Sequence, residues 1–171
     1  MNTRERVRAG DPAAVEQMTR ATGMFREDEI AIAVELVEDG LAKGEASGYR
    51  FAFVDGPDGA LRGYACWGET PCTLGTWDLY WIAVQPNGQG KGLGRELMAF
   101  AERRIAEAGG RRVFVETSGR PDYAPTRGFY DRCGYEVVAR IEDFYTDGDP
   151  KVVYGKRLPV PTGGSRAPAR E

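Results

Sequence analysis

The sequence predicts a single α/β domain, a mixed sheet of about seven strands carrying about four helices on its two faces. Three observations lead there. Runs with an apolar period of two, rich in aromatic and β-branched residues, interrupt runs with the helical period. The elements follow the order β-α-α-β-β-β-α-β-α-β-β. The unit from Trp77 to Thr117 is a strand, a long amphipathic helix and a second strand, a crossover that makes its two strands parallel. A length of 171 residues with 42% hydrophobic content suffices for one core.

Taken in chain order, Thr3 to Ala9 reads as a short first strand. Asp11-Pro12 reads as a helix N-cap followed by proline, with the helix continuing from Ala13 to Ala21. A second helix is expected over Asp28 to Lys43, because Ile30, Val34, Val37 and Leu41 recur at helical spacing and Gly44 stops it. The period then changes to two. Tyr49 to Asp55 and Leu61 to Trp67, joined by Gly-Pro-Asp-Gly, form a hairpin. Trp77 to Val84 is a central strand. Leu93, Leu97, Phe100, Ala101, Ile105 and Ala108 mark one face of a long helix ended by Gly109-Gly110. A strand over Arg112 to Thr117, a short helix over Pro125 to Cys133, and strands over Tyr135 to Ile141 and Lys151 to Leu158 complete the domain, residues 1–158. A long loop, EDFYTDGDP, is expected between the last two strands. Residues 159–171, rich in Pro, Gly, Ser and Ala, are expected to be a flexible tail.

Composition narrows the function. There is no histidine, which removes Ser-His-Asp and Cys-His catalysis and every histidine-based metal site, so no metal is expected. Cys66, Cys72 and Cys133 are odd in number and form no CxxC pair, which fits reduced thiols in a cytoplasmic protein. The first residues have no apolar signal region, and no apolar run reaches membrane-spanning length. A net charge of -3 argues against a nucleic-acid partner.

The most informative segment is VQPNGQGKGLGREL, between a strand and a helix. Its glycines let backbone N–H groups approach a ligand closely. The helix N-terminus that follows favours an anion, and Lys91 and Arg95 add positive charge. Together these suit a pyrophosphate. The Walker pattern fails, because Gly90-Lys91 is followed by Gly92. The dinucleotide pattern GxGxxG fails too, because Leu93 or Arg95 stands where the third glycine belongs.

The pattern that fits is Gln-x-x-Gly-x-Gly, with Gln89, Gly92 and Gly94. With it, RGFYDRCGY downstream and the element order from about residue 4 to 158, the chain resembles the GNAT superfamily of acetyl-CoA-dependent N-acetyltransferases. The resemblance implies acetyl-CoA as the donor substrate, with its pyrophosphate on the backbone of Gln89, Gly90, Lys91, Gly92, Leu93 and Gly94. It implies main-chain bonds from Ile82, Ala83 and Val84 to the pantetheine arm, and a splay between the parallel fourth and fifth strands that receives the thioester. Lys91 and Arg95 are candidates for phosphate contacts. A homodimer is expected from the resemblance alone.

Amine acetylation needs a neutral amine and a donor for the departing thiolate. A lysine-type amine costs about 4 kcal/mol to deprotonate near pH 7.5, so a base is useful. Tyr130, matching a tyrosine that the family places near the CoA sulfur, is the candidate acid. Glu116, near the carboxyl end of the fifth strand, is the candidate base; family members that acetylate ribosomal-protein N-termini carry a glutamate there. Asp78 and Tyr80 are the reserves.

The acceptor pocket is expected among the first two helices, the loop ETPCTLGTW and the loop EDFYTDGDP. Its aromatic candidates are Phe25, Trp67, Trp77, Tyr80, Phe144 and Tyr145. Its acidic candidates are Glu69, Asp78, Glu142, Asp143, Asp147 and Asp149. Aromatic rings and carboxylates suit a cationic amine. The segment 119–123 after the fifth strand is expected to narrow the groove. The expected activity is acetyl transfer to a primary amine of a small molecule; a protein N-terminus or lysine, or a silent acetyl-CoA-binding module, are the alternatives.

Overall fold

The structure is a computed structural model that describes residues 3–88 and 90–159. Gln89, and the expected tail beyond Pro159, lie outside the described residues. The strands are β1 (Thr3–Arg4), β2 (Tyr49–Asp55), β3 (Leu61–Glu69), β4 (Thr76–Val84), β5 (Arg112–Ser118), β6 (Glu136–Thr146) and β7 (Asp149–Arg157). The helices are α1 (Asp11–Thr22), α2 (Glu27–Lys43), α3 (Leu93–Glu107) and α4 (Ala124–Arg132). One mixed sheet runs in the order β1-β2-β3-β4-β5-β7-β6. Among the described residues, only the β4–β5 pair, joined through α3, is parallel.

Strand alternation puts a helical layer on each face. On β3, Ala65 and Trp67 join a core with Leu97, Met98, Ala101 and Ile105 of α3 and Tyr130 of α4. Tyr64 and Cys66 join the opposite core, with Val15 and Met18 of α1 and Ala33 and Val37 of α2. Each large apolar side chain so buried stabilises the fold by about 1.5–3 kcal/mol.

Several expectations are corrected. The first strand shortens to Thr3–Arg4; further on, the Arg8 N–H and carbonyl bond to Asp11 rather than to β2. Asp11 is therefore no N-cap: it is the first helical residue, after Gly10, and its carboxylate accepts the Arg8 N–H at 2.6 Å. On α2 the inward residues are Ile30, Ala33, Val37 and Gly40. Gly40 faces the sheet because a Cβ there would come within 2.4 Å of the Phe51 ring; Leu41 is consequently 42% exposed. The expected long loop before β7 is instead a hairpin. β6 runs on to Thr146, which pairs with Asp149 across a turn at Asp147-Gly148. The Asp143 carboxylate accepts the Gly148 N–H at 2.7 Å, and Asp143 takes a φ of 51° in the bulge that precedes the turn.

The sheet opens at one point. β4 and β5 pair from Thr76↔Arg112 to Leu79↔Val115 and no further, although β4 continues to Val84 and β5 to Ser118. The cause lies one strand over. Cys66 of β3 pairs with Trp81 and Trp67 with Leu79, so Tyr80 is an extra residue, a β-bulge that bends β4 away from β5. The bulge also reverses side-chain parity. Trp77 and Leu79 face the α3 core before it, whereas Ile82 and Val84 face that core after it.

Candidate active site

Beyond the bulge, β4 and β5 diverge and two cavities open side by side. One, of about 460 Å³, lies between the ends of β4 and β5 and the α1–α2 connection. The other, of about 520 Å³, lies between the glycine loop and α4. They share Ile82, Val84, Thr126 and Tyr130 on their walls.

The second cavity is built from the loop after β4. Gly90 and Gly92 take φ values of 74° and 90°, left-handed conformations that favour glycine. A Cβ built on either would meet nothing within 4 Å; their backbone faces open space. Gly94 is tighter, since a Cβ there would come 3.3 Å from the Phe129 ring. The first helical bond of α3 joins the Glu96 N–H to the Gly92 carbonyl at 3.0 Å. The N–H groups of Leu93, Gly94 and Arg95 thus have no partner within the helix, at its positive end. Arg95 lines this cavity. Lys91 is exposed and lines neither. Leu93 packs its side chain against the α3 core. Ala83 points into the opposite core, with its strand neighbours Ile82 and Val84 on the cavity walls.

Tyr130 is held in an aromatic cluster, its ring centroid 5.4 Å from Phe129, 5.5 Å from Tyr154 and 6.2 Å from Tyr135. It is 5% exposed. Burial pushes its phenol well above the ordinary tyrosine range, with smaller contributions from Cys133 and Tyr154, because the charged form is disfavoured away from water.

Glu116 lies on the wall of the first cavity, paired with Lys151 Nζ at 3.0 Å and with its side chain 53% exposed. Lys151 also sits 3.9 Å over the Phe144 ring. Of the two reserves, Tyr80 lines the same cavity. Asp78 does not; it accepts the Thr70 hydroxyl at 2.7 Å.

The acceptor candidates divide. Phe25, Tyr80, Tyr145 and Asp149 line the first cavity. Trp67 and Trp77 do not, because strand parity sends both into the core. The loop after β3 lies at the other end of the sheet, where the Gly75 carbonyl accepts the Arg111 N–H at 2.8 Å; Glu69 is remote with it. Glu142, Asp143, Asp147 and Phe144 are exposed on the β6–β7 hairpin and form no part of the wall. From the segment 119–123, Arg120 and Tyr123 line the cavity, and the Tyr123 hydroxyl donates to the Met24 carbonyl at 3.0 Å. Arg127 staples that segment by donating to the Ser118 and Arg120 carbonyls at 2.9 and 2.7 Å.

Several wall residues went unnamed in the sequence. Among them, Thr126 lies in the first turn of α4, Ser118 ends β5, and Glu29 lies in the first turn of α2, where its carboxylate accepts the Arg26 N–H. No sequence signature marked them: Arg26, not the Ser or Thr of a capping box, stands three residues before Glu29. Among the described residues there is no group of acidic, cysteine or histidine side chains that could hold a metal ion, and no helix long and apolar enough to cross a membrane.

The acetyltransferase (GNAT) family profile matches residues 17–135. A protein assigned to the GNAT acetyltransferases of Desulfovibrio desulfuricans superposes with a TM-score of 0.88 and is 44% identical, over 91% of this chain and 97% of its own. An aminoglycoside 6′-N-acetyltransferase complexed with coenzyme A is 17% identical with a TM-score of 0.73, over 94% and 99% of the two chains. The ribosomal-protein-S18-alanine N-acetyltransferase of Escherichia coli is 17% identical with a TM-score of 0.71, over 98% and 99%. The last two likenesses concern the fold. Curated proteins give no sequence match. The fold is that of an acyltransferase. The chain belongs to the acetyltransferase (GNAT) family.

Proposed function

We propose that this protein moves an acetyl group from acetyl-CoA to a primary amine of a small molecule by direct attack. The observation that carries the reading is the gap between β4 and β5, where two cavities meet at Tyr130. One side offers an anion site made of backbone, and the other a pocket of aromatic and acidic side chains. A thioester reaching through the gap would meet an amine coming from the far side.

The glycine loop suits the donor. Among the described residues nothing lies within 4 Å of a Cβ built on Gly90 or Gly92, and the N–H groups of Leu93, Gly94 and Arg95 point from a helix start. Gln89 and Lys91 belong to the same proposed loop, with Ile82, Ala83 and Val84 supplying main-chain bonds along the arm. In the reaction, the amine nitrogen forms a bond to the acetyl carbon and the carbon–sulfur bond breaks. One proton leaves the nitrogen, and Glu116 is the proposed acceptor of it. One proton or hydrogen bond must reach the sulfur, and Tyr130 is the proposed donor. Its raised phenol remains protonated throughout the working range, so its contribution is hydrogen-bond donation to the developing thiolate. A small acceptor is supported by the Tyr123–Met24 tether, which closes one side of the cavity.

Thermal stability with and without acetyl-CoA tests the donor. Ligand at about a hundred times its Kd should stabilise the fold by about 2.7 kcal/mol, and no shift with any acyl-CoA would remove the proposal. Thiol release across polyamines, amino acids, aminoglycosides and short peptides tests the acceptor. Turnover confined to peptides would replace the small molecule with a protein N-terminus.

A further inference from the structure

We propose that the outer face of β5, β7 and β6 is the contact surface of a homodimer, in which two copies lay this face against each other in opposite directions about a two-fold axis. The proposal is independent of the acceptor and of the chemistry of the cavities.

One side of these strands is covered and the other is bare. Val113 and Val115 of β5, with Val152 and Tyr154 of β7, point into the core shared with α3 and α4. The core under α1 and α2 draws its sheet residues from β2, β3 and β4; among the described residues, none of β5, β6 or β7 belongs to it. The bare side is apolar in its middle. Phe114 pairs with Gly155 and Glu116 with Val153, while Val153 pairs with Ala139 and Lys151 with Ile141; paired residues share a face. A Cβ built on Gly155 would meet the Phe114 ring and a Val138 methyl, each at 3.0 Å, so those two side chains close over the glycine. Phe144 lies on the same side, beneath the Lys151 ammonium at 3.9 Å. Val138 is 50%, Phe144 49% and Ile141 46% exposed. An apolar stripe running across three strands is a surface that monomers seldom leave to water.

The ends of the stripe say what covers it. At one end stand Arg112 and Arg157, a cross-strand pair, with Glu136 beside them on β6. Among the described residues neither arginine has an ion pair, so this end is net positive. At the other end Arg140 pairs with Glu142 and Lys151 with Glu116, which leaves the exposed Asp143 and Asp147 to make it net negative. Two copies laid antiparallel bring the partner's Arg112 and the partner's Arg157 to Asp143 and Asp147. The same contact recurs across the axis, as an isologous interface requires, and opposite charges set the direction.

The free edge of β6 is a poorer contact than the face. Its ladder with β7 is interrupted at Val138 and again over residues 142–145, bulges of the kind that keep edge strands from pairing. Phe114, Val138, Val153 and Ile141 line neither cavity, so the contact is separable from catalysis.

Sedimentation velocity of the full chain, from about 1 to 100 µM, tests the contact, with a dimer Kd expected below about 10 µM. Phe114→Glu sets a charge in the middle of the stripe, two strands in from the edge, and should weaken association by about 100-fold. Thermal unfolding verifies that the variant is folded; should it not be, Val138→Asp, at a half-exposed position on β6, should have the same effect. Arg157→Glu should weaken the dimer by about tenfold. Adding Asp147→Arg to that chain restores opposite charges across the axis and should recover most of the loss. A monomer throughout the range, growth beyond two copies, a dimer that persists in a folded stripe variant, or a double variant no tighter than Arg157→Glu alone overturns the proposal. Activity enters none of these measurements, so their failure leaves the proposed acetyl transfer standing, and failure of acetyl transfer leaves the dimer.

Discussion

Glu116 and Lys151 form an ion pair at 3.0 Å beside the cavity between the ends of β4 and β5, and Lys151 is itself held over the Phe144 ring. The carboxylate is thereby fixed at the end of β5, where that strand has parted from β4. The proposed general base therefore stands on the wall of the cavity at the strand gap.

Glu116→Gln should lower kcat/KM by about 100-fold near pH 6.5, and by much less above pH 9. The amine is mostly protonated at the lower pH, so removal of its proton depends on a base there; as pH rises, the free amine needs less help. Rate profiles of the two proteins between pH 6 and 9.5 check this. Parallel profiles would leave Glu116 a structural partner of Lys151 only.

Tyr130→Phe should reduce kcat by about 10- to 100-fold while the Kd for acetyl-CoA stays within about twofold. The phenyl ring keeps the contacts with Phe129, Tyr135 and Tyr154, so the fold should survive. What is lost is the hydroxyl at the junction of the two cavities. Single-turnover rates with saturating acetyl-CoA separate this loss from binding; an unchanged rate would make Tyr130 a packing residue.

Gly92→Ala tests the loop. Its φ of 90° costs a residue with a Cβ about 1–2 kcal/mol, equivalent to a Tm lower by about 3–6 °C in a domain of this size. The added methyl would also occupy the open space beside the helix start, and the Kd for acetyl-CoA should rise by about tenfold. Calorimetry of the free and ligated protein reads both effects. A lower Tm with an unaltered Kd would reduce the glycine to a turn residue.

The strand-helix-strand unit and its glycine loop were legible because local chemistry decides them: a β-branched run, glycines, then a 3.6-residue apolar period. The motif singled out Tyr130, which lies on the wall shared by the two cavities. The acceptor wall was not, for reasons of parity and composition. Trp67 and Trp77 are aromatic, as a cationic pocket prefers, yet alternation on their strands turns them into the core. The bulge at Tyr80 reverses that alternation, and no residue type announces it. Asp149 follows Thr-Asp-Gly, a composition that reads as loop; only the pairing of Thr146 with Asp149 makes it the start of a strand and buries its carboxylate. On α2, the approach of Phe51 to Gly40 fixed the inward face one residue from the expected stripe.

Arg4 ties the N-terminal strand to both α1 and β2, and its loss should be the costliest of these changes to stability. Its guanidinium donates to Asp11 at 2.7 and 2.5 Å and to Asp55 at 2.8 Å, and lies 4.4 Å over the Phe53 ring. Arg4→Met would leave the Asp11 carboxylate buried without its cation, at a cost of about 3 kcal/mol. The hydrogen bond from Arg4 holds the Asp55 carboxyl below its ordinary value of 3.8, against the opposing effect of burial. A depressed folded value means that the unfolded chain binds the proton more tightly. The stabilisation is therefore complete above about pH 5 and is lost as pH falls through 3.8 toward the folded value. Denaturant unfolding of the two proteins from pH 7 to pH 3 should show the gap between them at its widest near neutrality and narrowing with acid. A gap constant across that range would assign the loss to packing on Phe53 rather than to the ion pairs.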